Sequence, residues 1–230
     1  MLPIYLIKFT EFLKTVPLKE YREKYAPIKI VEMDLSKDIQ AIELLYIVYW
    51  DEKNFIDFEE FYKRYLNEKE NSLEDFRIKS TMCKDCFYRG LKARIYRTWA
   101  GLITQIHAGY VAEKVFGEGT VSMSAKLDSQ GADIRVSYKK CFLNYQVKKT
   151  SYSGVKSGRP LPKKSKLTGT NIDLLYEVPT CLSDPKTKSG KFRTPFLRFL
   201  EDKRTEALPN GFVIFTEEAF KPKKIEIDTQ

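Results

Sequence analysis

The chain has 230 residues, of which 43% are hydrophobic and 13% aromatic, so burial can offset the entropy of ordering the chain and a disordered protein is excluded. No run approaches twenty apolar residues, and the opening MLPIYLIKF lacks a cationic leader and a small-residue cleavage site, so we expect no membrane span and no signal peptide. The net charge of +9 is unevenly distributed, and we expect a globular cytoplasmic protein whose four cysteines stay reduced.

The first half of the chain is predicted to be helical. Apolar spacing indicates helices over residues 5–25, Ile39–Trp50 and Phe55–Asn67. A longer helix is predicted from apolar residues that alternate at spacings of three and four and end before Gly117. These residues are Tyr88, Leu91, Ile95, Trp99, Leu102, Ile106 and Tyr110.

Beyond Gly119 the apolar period changes to two, which is typical of strands. ADIRVSY and LNYQVKK are predicted to be adjacent strands joined by a short turn around Lys139–Phe142. Further strands are expected at Ile172–Val178 and Gly211–Thr216, on either side of a helix from Pro195 to about Leu208. This order of elements indicates an α/β fold with a mixed sheet.

Positive charge is concentrated between Ile134 and Lys166, where the chain has no Asp or Glu, whereas residues 1–75 hold more acids than bases. Tyrosines are interleaved with these basic residues, as expected of a surface that binds a polyanion. A solvated lysine-rich face is the competing interpretation of the charge alone. The basic residues are Arg135, Lys139, Lys140, Lys148, Lys149, Lys156, Arg159, Lys163, Lys164 and Lys166.

Three polar residues on the two adjacent strands suggest hydrolysis of a phosphodiester. Gln146 and Lys148 share one face of their strand, and Asp133 opens the neighbouring strand. A carboxylate and an amide oxygen can hold Mg²⁺, which keeps several waters and activates one of them. The lysine would orient that water and stabilise the developing negative charge.

Two further carboxylates are candidate metal ligands. Helical periodicity places Glu113 on the apolar stripe of the long helix, where a carboxylate needs a partner such as a metal or a base. Asp128 precedes Asp133 by five residues and could supply a second acidic oxygen. The alternatives are that Glu113 caps the helix or forms a salt bridge and that Asp128 is a turn residue.

The arrangement of Glu113, GAD ending at Asp133 and QVK ending at Lys148 resembles the PD-(D/E)xK nuclease superfamily. The similarity to TaqI-type restriction endonucleases is closer, and it includes YREKYAPIKIVEMDL and CFYRGLKARIYRTWAGLITQIHAGYVAEKVFG. The resemblance implies that Asp128, Asp133 and Lys148 are catalytic. It further implies a type II enzyme that cuts double-stranded DNA at TCGA as a homodimer with Mg²⁺, alongside a cognate DNA methyltransferase.

The chain departs from the superfamily at Gln146, where Glu or Asp is usual. A neutral amide can ligate a cation but adds no negative charge, which leaves the number of bound metals open. We expect a single nuclease domain over residues 1–230 with a PD-(D/E)xK core. Its mainly helical part would cover residues 1–85, and its catalytic core would cover 86–230 and include a basic loop at 151–170.

The basic loop is the predicted DNA-binding segment. Lysines there would contact phosphates, which position the protein, while an arginine could read guanine edges. The candidate DNA-binding residues are Lys149, Lys156, Arg159, Lys163 and Lys164.

The remaining motifs are weaker. Cys83 and Cys86 form a CxxC that could be half of a zinc site, but a second CxxC is missing and ordinary thiols are favoured. His107 is the only histidine, which excludes mechanisms that need two imidazoles. Two other functions compete with restriction: a repair or junction-resolving nuclease of the same fold, and a DNA-binding module whose Gln146 marks a lost active site.

Overall fold

The computed structural model describes residues 4–31, 35–150, 166–179, 182 and 185–230. Its helices are α1 (Ile4–Thr15), α2 (Leu18–Tyr25), α3 (Ile42–Tyr46), α4 (Phe58–Lys79), α5 (Lys84–Phe116), α6 (Ala125–Ser129), α7 (Thr194–Glu201) and α8 (Lys221–Asp228). Its strands are β1 (Val121–Ser122), β2 (Ile134–Tyr138), β3 (Cys141–Thr150), β4 (Thr170–Glu177), β5 (Thr205–Ala207) and β6 (Val213–Phe215). No helix among the described residues is long and apolar enough to cross a membrane.

The chain divides into two compact units, and α5 contributes residues to both. The helical unit, Thr15–Ile103, is built around an aromatic core. The ring of Phe58 lies 5.3 Å from that of Tyr96 and 5.7 Å from that of Trp99, and the Trp99 indole donates a hydrogen bond of 2.8 Å to the Tyr49 hydroxyl. Such rings bury a large apolar area while the indole N–H keeps a partner.

The sheet unit, Met1–Lys14 with Thr104–Gln230, holds a four-stranded mixed sheet in the order β1-β2-β3-β4. The β1–β2 and β2–β3 pairs are antiparallel, whereas β3 and β4 are parallel. One face carries buried residues such as Ile134, Tyr145 and Leu174. Because side chains alternate along a strand, the residues between them form the opposite face, which is polar around Gln146.

Lys139 and Lys140 form the two-residue turn between β2 and β3, and both have positive φ, at 44° and 65°. The left-handed conformation costs a residue with a Cβ roughly 1 kcal/mol or more. We expect Lys140→Gly to raise the free energy of unfolding by about 1 kcal/mol in urea titrations. Lys140→Ala keeps the Cβ and should give no gain, and a glycine variant no more stable than wild type would contradict the prediction.

Several predicted elements differ from the structure. The helix predicted over residues 5–25 is interrupted because Pro17 has no N–H to donate, and residues 47–51 form a π-helix after α3. The predicted helix beyond Pro195 ends at Glu201. The segment predicted to continue it forms β5, which pairs with β6 in a separate two-stranded sheet. The predicted strand at Gly211–Thr216 is therefore present but lies outside the four-stranded sheet.

Candidate active site

Asp133 lies directly before β2 and is fixed against β3 by its backbone and its side chain. Its N–H donates to the Tyr145 carbonyl at 2.9 Å, and its Oδ2 accepts a 2.6 Å hydrogen bond from the Val147 N–H. Only 5% of the residue is exposed. The carboxyl therefore extends the β2–β3 ladder by one hydrogen bond and stays close to the centre of β3.

Asp128 reaches Asp133 through a tight turn. The short helix α6 is capped by Ser124, whose hydroxyl accepts a hydrogen bond from the Leu127 N–H, and the chain reverses at Gly131, where φ is 92°. Glycine adopts this φ without a steric penalty. The turn brings the Asp128 and Asp133 carboxyls close enough to change each other's pKa.

Burial governs the charge of this carboxyl pair. Desolvation raises the pKa of Asp133 to about 7. The hydrogen bond from the Val147 N–H favours the charged carboxylate and lowers this pKa, but it does not outweigh desolvation. The neighbouring Asp128 carboxyl raises the pKa of Asp133 further. Desolvation also raises the pKa of Asp128. A buried and a partly buried carboxyl that both resist ionisation are a suitable place for a cation, and oxygen donors suit a hard one such as Mg²⁺.

No group of three His, Cys, Asp or Glu side chains within the described ranges could hold a metal ion. A cation at Asp128 and Asp133 would therefore need amide, water or phosphate oxygens as further ligands. Mg²⁺ is commonly held by one or two carboxylates with several waters. The donor set thus fits Mg²⁺ with an incomplete protein shell.

Gln146 and Lys148 lie on the face of the sheet that also carries Asp133. Gln146 is the register partner of Asp173 on β4 and lies one step beyond the Ile134–Tyr145 pair, opposite Asp133. The Lys148 ammonium contacts Asp173 Oδ1 at 2.7 Å. The structure therefore places Asp133, Gln146, Lys148 and Asp173 on one face of the sheet, beside the start of β2 and the middle of β3 and β4.

Comparison with known proteins identifies the family. The family model described as TaqI restriction endonuclease matches residues 6–226. The chain belongs to this family. It is 32% identical over 227 residues to "Type II restriction enzyme TthHB8I" of Thermus thermophilus and to "Type II restriction enzyme TaqI" of Thermus aquaticus, covering 93% of this chain and 84% of each relative. No solved structure matches the chain.

Membership of the TaqI restriction endonuclease family confirms the predicted resemblance and the predicted enzyme class, a restriction endonuclease. The α/β fold with a mixed sheet is confirmed by the strand pairing. The roles of Asp128, Asp133, Gln146 and Lys148 stay predictions. The structure places Asp133, Gln146 and Lys148 on one face of the sheet, and Asp128 on α6 beside Asp133.

The Glu113 carboxylate forms a hydrogen bond with the backbone. Its Oε1 accepts a 3.1 Å hydrogen bond from the Gly119 N–H, in the turn that follows α5. This contact is the capping alternative that the sequence left open. The metal-ligand role of Glu113 stays a prediction, and it would require the carboxylate to use its other oxygen or to release Gly119.

Asp173 is the residue of this site that the sequence did not reveal. It lies on β4 between the partly buried Ile172 and the buried Leu174. The sequence pattern that could have indicated a functional residue here is a single acid on a mainly apolar strand, pointing to the face opposite that of its apolar neighbours. Its importance depends on the parallel pairing of β4 with β3, which strand periodicity alone does not predict.

The predicted DNA-binding residues fall largely outside the described part of the chain, which omits Lys156, Arg159, Lys163 and Lys164. Lys149 is described and is exposed on β3. Its predicted contact with DNA stays a prediction.

Cys83, Cys86 and Cys141 are free thiols, and Cys181 is not among the described residues. The Cys86 N–H donates to Cys83 Sγ at 3.3 Å, and a hydrogen bond from the Cys86 thiol lowers the pKa of Cys83. Within the described residues no set of three ligands that could hold zinc includes this pair. The interpretation of Cys83 and Cys86 as ordinary thiols stays a prediction.

His107 is buried in the sheet unit, where its Nε2 lies 3.2 Å from the Thr10 hydroxyl. Thr10 donates its proton to the Leu6 carbonyl, so it accepts from the ring, which is neutral. Burial lowers the pKa of His107 to about 3. The unfolded chain takes up this proton near pH 6.5, so the stability due to neutral His107 is complete above pH 6.5 and is lost as the pH falls toward 3.

We expect His107→Gln to remove this acid sensitivity. Between pH 6.5 and 4.5 the free energy of unfolding of the wild type should fall by about 1.4 kcal/mol per pH unit more steeply than that of the variant. Urea titrations of both proteins across this range provide the measurement. The carboxylates titrate in the same way in both proteins, so their contribution cancels in the comparison. Parallel plots of the free energy of unfolding against pH would contradict the prediction.

Proposed function

We propose that this chain is a type II restriction endonuclease that hydrolyses double-stranded DNA at a short specific site with Mg²⁺, on a PD-(D/E)xK core within a single nuclease domain. The observation that carries the proposal is the placement of Lys148 on the sheet face that carries Asp133, with the Asp128 carboxyl beside Asp133. The family supplies the reaction class, and the carboxyl pair supplies a place for a hard cation.

Asp133 and Asp128 would hold the cation, with the Gln146 amide oxygen as a neutral third donor. When bound, Mg²⁺ lowers the pKa of a coordinated water and offsets charge on the phosphate. Burial contributes because charges interact more strongly where water is excluded. Asp133, fixed by the Val147 N–H, holds its carboxylate at a set place in front of β3.

Lys148 would act on the phosphate and on the attacking water. Its side chain is 28% exposed, so the ammonium can reach a DNA backbone while its stem lies against the sheet. An ammonium placed beside the phosphate stabilises the negative charge that builds up as the scissile bond breaks. A proton on the leaving oxygen would come from solvent or from water in the same site.

The family resemblance suggests TCGA as the recognised sequence. TCGA is its own reverse complement, so a two-fold symmetric homodimer would present one active site to each strand. We further propose that the enzyme works in the cytoplasm beside a DNA methyltransferase that protects the same site. The basic loop, with Lys149, Lys156, Arg159, Lys163 and Lys164, would supply phosphate contacts.

Digestion of a mixed-sequence plasmid by the purified full-length protein tests this function. Discrete fragments that require Mg²⁺, with end sequences that share one short palindrome, are the expected result. Nicking at junctions or lesions without a shared sequence would favour a repair nuclease instead. DNA binding without cleavage would favour a module whose neutral Gln146 reflects a lost active site, and it would overturn the proposal.

A further inference from the structure

The active face of the sheet carries acids on both sides of a neutral residue. Asp133 before β2, Gln146 on β3 and Asp173 on β4 lie in one row across three neighbouring strands. Paired residues on adjacent strands project from the same face. The superfamily pattern places an acid in the middle of this row, and this chain has its second carboxylate one strand further along.

Lys148 is held from that neighbouring strand. Its Nζ lies 2.7 Å from Asp173 Oδ1, and the Lys148 and Asp173 side chains are 28% and 46% exposed. An ion pair at this exposure stabilises a protein by about 0–1 kcal/mol at most. The main effect of this ion pair is therefore to fix the position of the ammonium. A lysine ammonium is a point charge at the end of a flexible four-carbon chain, and one carboxylate can hold it in place.

We propose that Asp173 is the positioning residue of Lys148 and supplies, beside the ammonium, the negative charge that Gln146 lacks. This inference rests on the proposed nuclease function. Asp173 would keep the Lys148 ammonium on the face that carries Asp133. The lysine side chain would then already be in the rotamer that contacts the phosphate when DNA binds. Asp173 itself would touch neither the phosphate nor the attacking water.

Asp173→Asn tests the positioning role by kinetics. We expect the single-turnover cleavage rate in Mg²⁺ to fall by about 10- to 100-fold, the loss typical of residues that orient catalytic ligands. Because substrate binding is untouched, KM and DNA affinity measured in Ca²⁺ should not change. Asp202→Asn, which breaks the 2.8 Å ion pair between Asp202 and Arg204, is the matched control and should cleave at the wild-type rate.

Returning an acid to β3 provides a rescue test. Gln146 is the direct register partner of Asp173 and lies two residues before Lys148 on the same face. Asp173→Asn should slow cleavage much less in a Gln146→Glu background than in the wild type, because a carboxylate one strand away stays beside the ammonium. Comparing the double variant with Gln146→Glu alone cancels any effect of the new carboxylate on cation binding, and the double variant should also exceed Asp173→Asn in rate. A double variant as slow as Asp173→Asn would overturn the proposal.

A spectroscopic measurement tests the ion pair in metal-free protein. The ¹⁵N signal of the Lys148 ammonium, assigned by its loss in Lys148→Ala, should shift or broaden in Asp173→Asn and stay unchanged in Asp202→Asn. An unchanged signal, or Asp173→Asn cleavage at the wild-type rate, would overturn the positioning role alone. A wild-type protein that does not cut DNA in Mg²⁺ would overturn the proposed function, and the spectrum would still decide whether Asp173 holds the ammonium.

Discussion

Asp133→Asn is expected to reduce Mg²⁺-dependent cleavage by about a thousandfold or more, because a bound cation supplies several kcal/mol of charge stabilisation and each 1.36 kcal/mol is worth tenfold in rate. Asparagine keeps an oxygen that can accept from the Val147 N–H, so the β2–β3 ladder should survive. The variant should therefore bind Mg²⁺ far more weakly by calorimetry while its plasmid cleavage is nearly lost.

The stability of the same variant separates a metal ligand from a structural residue. Asp133 is buried beside the Asp128 carboxyl, an arrangement that is costly without a cation. We expect metal-free Asp133→Asn to be at least as stable as the wild type in urea, and added Mg²⁺ to stabilise only the wild type by mass action. A variant that binds Mg²⁺ as tightly as the wild type would contradict the ligand assignment.

The local parts of the site were predictable from the sequence. The alternation in ADIRVSY and LNYQVKK identified β2 and β3. The turn was predicted around Lys139–Phe142, but Cys141 and Phe142 belong to β3, and the shorter turn at Lys139 and Lys140 sets the antiparallel register. That register is sufficient to bring Asp133 opposite Gln146. The five-residue separation from Asp128 required only one tight turn, which Gly131 provides.

The long-range parts were not predictable in the same way. Asp173 reaches Lys148 only because β4 lies parallel to β3, and parallel strands are joined by long connections whose register no local pattern encodes. Periodicity also placed Glu113 on the inner side of α5, but its partner is the Gly119 N–H six residues later. The spacing of apolar residues does not reveal which backbone N–H a side chain will contact in a turn. The sequence therefore left open whether Glu113 binds a metal or has a structural role such as capping the helix.

Lys148→Ala is expected to lower the cleavage rate by about 100- to 1000-fold, the effect of removing one preorganised donor from the charge that develops in a transition state. Binding of the cation should persist, because Asp133 is held in place by the Val147 N–H and not by the lysine. The variant should therefore bind Mg²⁺ and DNA yet cleave slowly in single-turnover assays, a combination opposite to that expected for Asp133→Asn.

Lys203→Ala is the control for Lys148→Ala, because Lys203 is exposed. Its backbone carbonyl accepts a hydrogen bond from the Thr216 hydroxyl, and this contact does not involve the side chain that the substitution removes. Loss of one exposed positive charge there should leave the cleavage rate unchanged. Cleavage at the wild-type rate by Lys148→Ala would mean that the cation and the Asp128 and Asp133 carboxyls are sufficient for the reaction without the lysine. In that case the ion pair between Lys148 and Asp173 would be a surface contact of β3 and β4, and the neutral Gln146 would need no substitute.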